Sequence, residues 1–157
     1  MTSDVDVAWH DASVDAGVAL AGHVDRLMGR SGAVTSGRLC GACGSDRHGR
    51  PWLRHDGVVV HVSLARSGPH LVTVVAQAPV GVDVEVAVID VAPALVLAAG
   101  EDEDLARTWA RKEAVLKAYG TGLVVSMADV HLDRERWRDL AAPEGFVAAV
   151  AFAPPKV

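Results

Sequence analysis

The chain is 157 residues long, half of them hydrophobic, with 4% aromatics and a formal net charge of -5. That length suits one compact domain, or two small lobes sharing a core packed chiefly by Val, Leu and Ala. The negative balance and the few stacking platforms argue against a general nucleic-acid binder, and no apolar run is long enough to span a bilayer.

Residues 1–6, Met1-Thr2-Ser3-Asp4-Val5-Asp6, are acidic and lack the basic start of a secretory signal, so a cytoplasmic protein is expected. Residues 16–28 read as a helix, with Val18, Leu20, Ala21, Val24, Leu27 and Met28 at roughly helical spacing. Residues 29–49 read as a loop rich in Gly and Ser, and Trp52 and Leu53 as the start of a short strand. Strands are expected over 58–64, 71–76 and 80–86, joined by short turns that favour antiparallel pairing. Residues 92–98 suit a short helix. The Glu101-Asp102-Glu103-Asp104 cluster reads as the acidic first turn of a longer helix that runs to about Tyr119 and ends at Gly120. Two late strands, 127–133 and 145–152, and a loose tail over 153–157 complete the pattern. The sequence shows no internal repeat.

Two segments carry candidate chemistry. In Gly81-Val82-Asp83-Val84-Glu85, the period of two puts both carboxylates on one face of a strand, with Val82, Val84 and Val86 on the other. Two neighbouring carboxylates repel unless a cation or water screens them, and a hard divalent ion such as Mg2+ meets that demand. Taken alone, the pair also fits an edge strand with two solvated acids. On the long helix, Glu113 and Lys117 are four apart and share a face, with Trp109 one turn earlier and Lys112 beside them. Alone, that pair also fits an ordinary exposed ion pair.

Taken together, Gly-Val-Asp-Val-Glu at 81–85 and the run from Trp109 to Leu123, Trp-x-x-Lys-Glu-Ala-x-x-Lys-Ala-x-Gly-x-Gly-Leu, resemble the 4'-phosphopantetheinyl transferase superfamily. Gly49-Arg50-Pro51 and Ser63-Leu64-Ala65-Arg66-Ser67-Gly68 extend the likeness upstream. They make the chain similar to the larger, Sfp-type branch rather than to the short trimeric holo-acyl-carrier-protein synthases. The resemblance implies an α+β fold of two related lobes in a pseudo-twofold arrangement, each a helix on a small antiparallel sheet. An N-terminal lobe would cover 1–78, shortened and contacting the adenosine end of coenzyme A. A C-terminal lobe would cover 79–157 and carry the Mg2+ and catalytic motifs. The implied activity moves the 4'-phosphopantetheine arm of coenzyme A onto a serine of an acyl or peptidyl carrier protein and releases adenosine 3',5'-bisphosphate. By position, Asp83, Glu85 and Glu113 match the metal-binding acids, and Lys112, Lys117, Arg50 and Arg66 the coenzyme A contacts. Glu113 and Lys117 are the expected catalytic pair, Glu113 as proton acceptor and Lys117 as stabiliser of phosphate charge. A monomer that binds neither nucleic acid nor membrane is expected.

The chain departs from the family pattern at Ala65-Arg66, where Ser-His is usual, and in the short stretches before residue 49 and between Glu85 and Trp109. Arg66 suits a phosphate through its planar fork of donors, or is an exposed strand-end arginine. Arg26, Arg30 and Arg38 are further candidates for the adenosine end. Two other readings fit these departures: a homologue that binds coenzyme A or a carrier without transfer, and a different Mg2+-dependent phosphate-ester enzyme on the same scaffold. Cys40, Cys43 and His48 form a Cys-x-x-Cys…His set that suits either a plain loop or zinc with a further ligand such as His55 or Asp46. His10, His23, His61, His70 and His131 show no metal spacing and read as structural or solvated.

Overall fold

The computed structural model describes residues 5–101 and 104–154. Residues 1–4, Asp102 and Glu103 of the acidic cluster, and residues 155–157 of the tail lie outside the described residues. The first lobe holds Val5–Asp11 (β1), Ala16–Met28 (α1), Val34–Leu39 (β2), Arg50–His55 (β3), Val58–Ser67 (β4) and His70–Ala76 (β5), in an antiparallel sheet of order β1-β5-β4-β3-β2. The second holds Val80–Val86 (β6), Leu105–Tyr119 (α2), Arg136–Leu140 (β7) and Phe146–Phe152 (β8), in an antiparallel sheet of order β6-β8-β7. This is the expected α+β architecture with a helix on each sheet. Without the β2–β3 hairpin, both lobes share one plan: strand, helix, two strands, with the last strand central (β1-β5-β4 and β6-β8-β7). The repeat is one of topology, invisible as sequence similarity.

Alternation along the strands builds four layers. Val80, Val82 and Val84, with Val150 and Phe152, pack against Val72, Val74 and Ala65 of the first sheet. The opposite face of the second sheet, through Ala149 and Ala151, receives Ala106, Ala110, Ala114 and Ala118 of α2. On the far side of the first sheet, Leu20 and Val24 of α1 cover Leu53, Val60, Val62 and Val75.

Small residues on α2 let the helix lie close to β6, and Gly81 sets the limit of that approach. A Cβ built there would stand 2.0 Å from the Ala114 carbonyl oxygen and 2.5 Å from the Ala118 nitrogen. Both are backbone atoms that cannot rotate aside, so the whole helix would have to move. Gly81→Ala is therefore expected to cost about 1–3 kcal/mol or more through overpacking, read as a lowered denaturation midpoint at unchanged m-value.

Several expected elements differ. Strands β1 and β2 were not anticipated. One face of β1 packs Val5, Val7 and Trp9 onto the core, while the polar face is held by hydrogen bonds. There the His23 Nε2 donates to Asp6 Oδ1 (2.8 Å), and the Thr73 hydroxyl bridges His23 Nδ1 and His10 Nε2, both at 2.8 Å. β2 is a polar edge strand held by pairing with β3, where Gly37 gives room to the Trp52 ring. The signal for the β3–β4 hairpin was Asp56-Gly57, both at positive φ, as a tight two-residue turn requires. Residues 127–133 do not form a strand: local bonds such as Val130 N–H to Met127 O make two 3-10 turns, and the strand lies at 136–140. Residues 92–98 hold only a 3-10 turn, Pro93–Leu95. On α1, Val18, Leu27 and Met28 are exposed, because the buried stripe runs through Leu20, His23 and Val24. The described acids precede α2 rather than form its first turn: Asp104 caps it, accepting from Arg107 N–H, and Glu101 turns inward. Ala153 is buried and its N–H bonds to Pro79 O, so the described start of the tail is anchored.

Candidate active site

The period of two along β6 aims Gly81, Asp83 and Glu85 at α2, and helical spacing aims Glu113 and Lys117 back at them. Lys117 Nζ donates to Asp83 Oδ1 at 2.7 Å and to the Val82 carbonyl at 3.1 Å. Asp83 is buried, 5% exposed, and its second oxygen, Oδ2, has no hydrogen-bond partner among the described residues. A buried carboxylate oxygen without a donor is costly in a low-dielectric seam, so the seam between β6 and α2 holds an acceptor whose demand the described residues leave unmet.

The three acids sense one another. Burial raises the Asp83 carboxyl, against the pull of Lys117. Burial, and then the charge of Asp83, push Glu85 up to about 7. Burial and Asp83 also raise Glu113, with Lys117 opposing. A single ammonium therefore does not neutralise the cluster. The donor set is all oxygen, which suits a hard divalent ion such as Mg2+. The oxygens of Asp83, Glu85 and Glu113 are not gathered within 4.8 Å, a separation met among the described residues only by Cys40, Cys43 and His48.

The sign of the pH dependence follows from Glu85. Folding lifts its pKa from 4.5 to about 7, so the native state holds that proton more tightly than the unfolded chain. Its stabilising contribution is complete below the unfolded value and is lost as pH rises through the folded one. Added Mg2+ should therefore raise Tm little at about pH 5 and increasingly toward about pH 8. Thermal melts across pH with and without Mg2+ check this; an effect of Mg2+ that shrinks with rising pH contradicts it.

Glu113 and Lys117 line a cleft of about 370 Å3 between the lobes, with Arg38, Arg50 and Ser63 opposite and Gly120, Thr121 and Gly122 along the rim. Ser63 Oγ accepts from the Val82 N–H at 3.1 Å, tying β4 to the edge of β6. Arg50 also lines a second, larger cleft of about 790 Å3, with Trp52, Val59, His61 and Tyr119. Its guanidinium lies against Gly120 at the end of α2, where an added Cβ would come within 3.2 Å of it. Burial lowers its pKa, and it remains a half-buried cation open to two clefts.

Two expected phosphate contacts are placed elsewhere. Lys112 is fully buried: its Nζ donates to Val96 O (2.7 Å) and Met127 O (3.0 Å) and pairs with Glu101 Oε2 at 2.5 Å. All three protons are used, so no face remains for a phosphate, and the residue braces α2 from the side away from the cleft. Arg66 is exposed and its guanidinium is spent on the carbonyls of Ala12 and Val14, tying β4 to the β1–α1 loop. Trp109 packs beside the α2 core rather than in the cleft. Of the candidates for the adenosine end, Arg38 lines the smaller cleft and bonds Gly49 O (3.1 Å), while Arg30 pairs with Asp56. What sequence reasoning missed was the β2–β3 hairpin as a cleft wall. No helix is long and apolar enough to cross a membrane among the described residues.

No curated protein matches the chain. Residues 79–146, from the residue before β6 to the first residue of β8, match the family described as the 4'-phosphopantetheinyl transferase superfamily, so the match covers both acid-bearing elements and the whole of α2.

Proposed function

We propose that the chain transfers the 4'-phosphopantetheine arm of coenzyme A to a serine of an acyl or peptidyl carrier protein, as a compact member of the larger, two-lobed branch. The observation that carries this reading is the buried Asp83 Oδ2, unpartnered among the described residues, beside Glu85, Glu113 and Lys117, the last two of which line an interlobe cleft. The topological repeat within one chain supports the two-lobed branch and a division near residue 79.

Asp83, Glu85 and Glu113 would hold Mg2+, which supplies Lewis-acid neutralisation of pyrophosphate charge when bound. Lys117, anchored on Asp83, presents a fixed positive charge at the rim of the cleft and stabilises charge on the leaving phosphate. Glu113 accepts the proton that the carrier serine loses as it attacks. Arg50, between the two clefts, holds a phosphate at the adenosine end.

Mass spectrometry of carrier proteins incubated with the chain, Mg2+ and coenzyme A tests the proposal. A mass gain of one phosphopantetheine on the carrier serine is expected, and no gain across fatty-acid, polyketide and nonribosomal-peptide carriers overturns it. Arg50→Ala should raise KM for coenzyme A by about ten- to a hundredfold, the usual scale of a charged hydrogen bond, with a smaller change in kcat. Steady-state kinetics at fixed carrier concentration check that split.

A further inference from the structure

The loop between β2 and β3 carries a second constellation, separate from the acids. The ligand atoms of Cys40, Cys43 and His48 all lie within 4.8 Å of one another. Cys43 Sγ and His48 Nε2 are 3.4 Å apart. A tetrahedral zinc centre with ordinary Zn–S and Zn–N bonds spaces a sulfur and a nitrogen by about 3.5 Å, so this edge of the tetrahedron is already close to size.

The backbone is built for the arrangement. The Gly44 N–H bonds Cys40 O at 2.8 Å, with Gly44 in the left-handed region at φ 71, closing the Cys-x-x-Cys turn. The chain then returns through Gly49, whose φ is 99 and whose added Cβ would lie 2.5 Å from the Cys40 Cα and nitrogen. Only glycine fits that crossing, and the crossing sets His48 back beside the cysteine pair. The cysteines are free thiols.

We infer that Cys40, Cys43 and His48 bind one Zn2+ ion, with a fourth position open to solvent. Two thiolates and an imidazole select a borderline-soft ion over the hard ion suited to the acids, so the two sites would sort their metals. The two thiolates balance the charge of the dication. His55 is not the fourth ligand: it is buried against Asp25, Nε2 to Oδ1 at 3.1 Å. Cys40, Gly41 and Ala42 line the smaller cleft, so the ion would clip that wall to the hairpin.

Titration of the reduced, chelator-treated full chain with Co2+ tests the site. A sulfur-to-cobalt charge-transfer band saturating at one equivalent and displaced by Zn2+ is expected. Cys43→Ser should abolish the band and His48→Gln should weaken Co2+ binding, while Asp83→Asn should leave the band unchanged. Hydrogen exchange over residues 39–50 should slow on Zn2+ addition, a readout on the unaltered chain. Absence of the band in the reduced wild-type chain overturns the site. A band that survives Cys43→Ser, or that disappears in Asp83→Asn while that variant remains folded, also overturns it.

Discussion

Glu113→Gln is expected to lower phosphopantetheine transfer by at least about a hundredfold, the scale of a lost general base, without destabilising the metal-free fold. Glutamine keeps the shape of the side chain but accepts no proton and carries no charge. In the metal-free chain Glu113 is held unfavourably, raised by burial and by Asp83, so its neutralisation should leave Tm unchanged or slightly higher. Loss of rate with retained or improved stability is the signature of a group placed for chemistry. Asp83→Asn should behave differently, because it strips Lys117 of its counterion and should cost both rate and stability. Transfer at saturating coenzyme A beside thermal melts separates the two; a Glu113→Gln variant with wild-type turnover removes Glu113 from the proposed proton transfer.

Lys112→Ala should produce a large loss of stability from a single side chain. Its ammonium is 0% exposed and holds Glu101 and two backbone carbonyls. Removing one partner of a buried pair costs about 3–5 kcal/mol; with Glu101 17% exposed, the low end applies, about 3 kcal/mol and roughly 6–12 °C in Tm. Burial acts against the charged Glu101, but Lys112 and the amides of Ala98 and Leu132 hold its pKa below the ordinary value. The group's contribution is thus present above the unfolded pKa and lost as pH falls through the folded one. Lys112→Ala should accordingly flatten the acid limb of the stability curve. A melting temperature within a degree or two of the parent shows instead that the pair contributes little.

The elements legible in the sequence are those whose pattern comes from one dominant face. Strands β4, β5 and β8 are rich in apolar residues, β6 alternates valine with Gly81, Asp83 and Glu85, and α2 ends on a glycine in the left-handed region. The carboxylate face of β6 was legible because period two is fixed by covalent geometry. Strand β1 was obscure because its polar residues are satisfied by His23 and Thr73 from distant parts of the chain. Lys112 shows the same limit: in sequence it stands beside Glu113 and shares its chemistry by proximity. A shift of one residue is about 100° around a helix, enough to send one side chain to the cleft and the next into the core.

The two lobes share a plan, yet their helix–sheet seams end differently. In the first, Asp6, His23, Thr73 and His10 satisfy one another across α1 and its sheet. In the second, the seam between α2 and β6 keeps an acceptor oxygen without a donor among the described residues. The molecule therefore pairs a seam whose polar groups satisfy one another with a seam that leaves one acceptor unmet among the described residues. Local opening should follow the same asymmetry, with amide protection around α2 rising and falling with cation concentration while that around α1 stays constant.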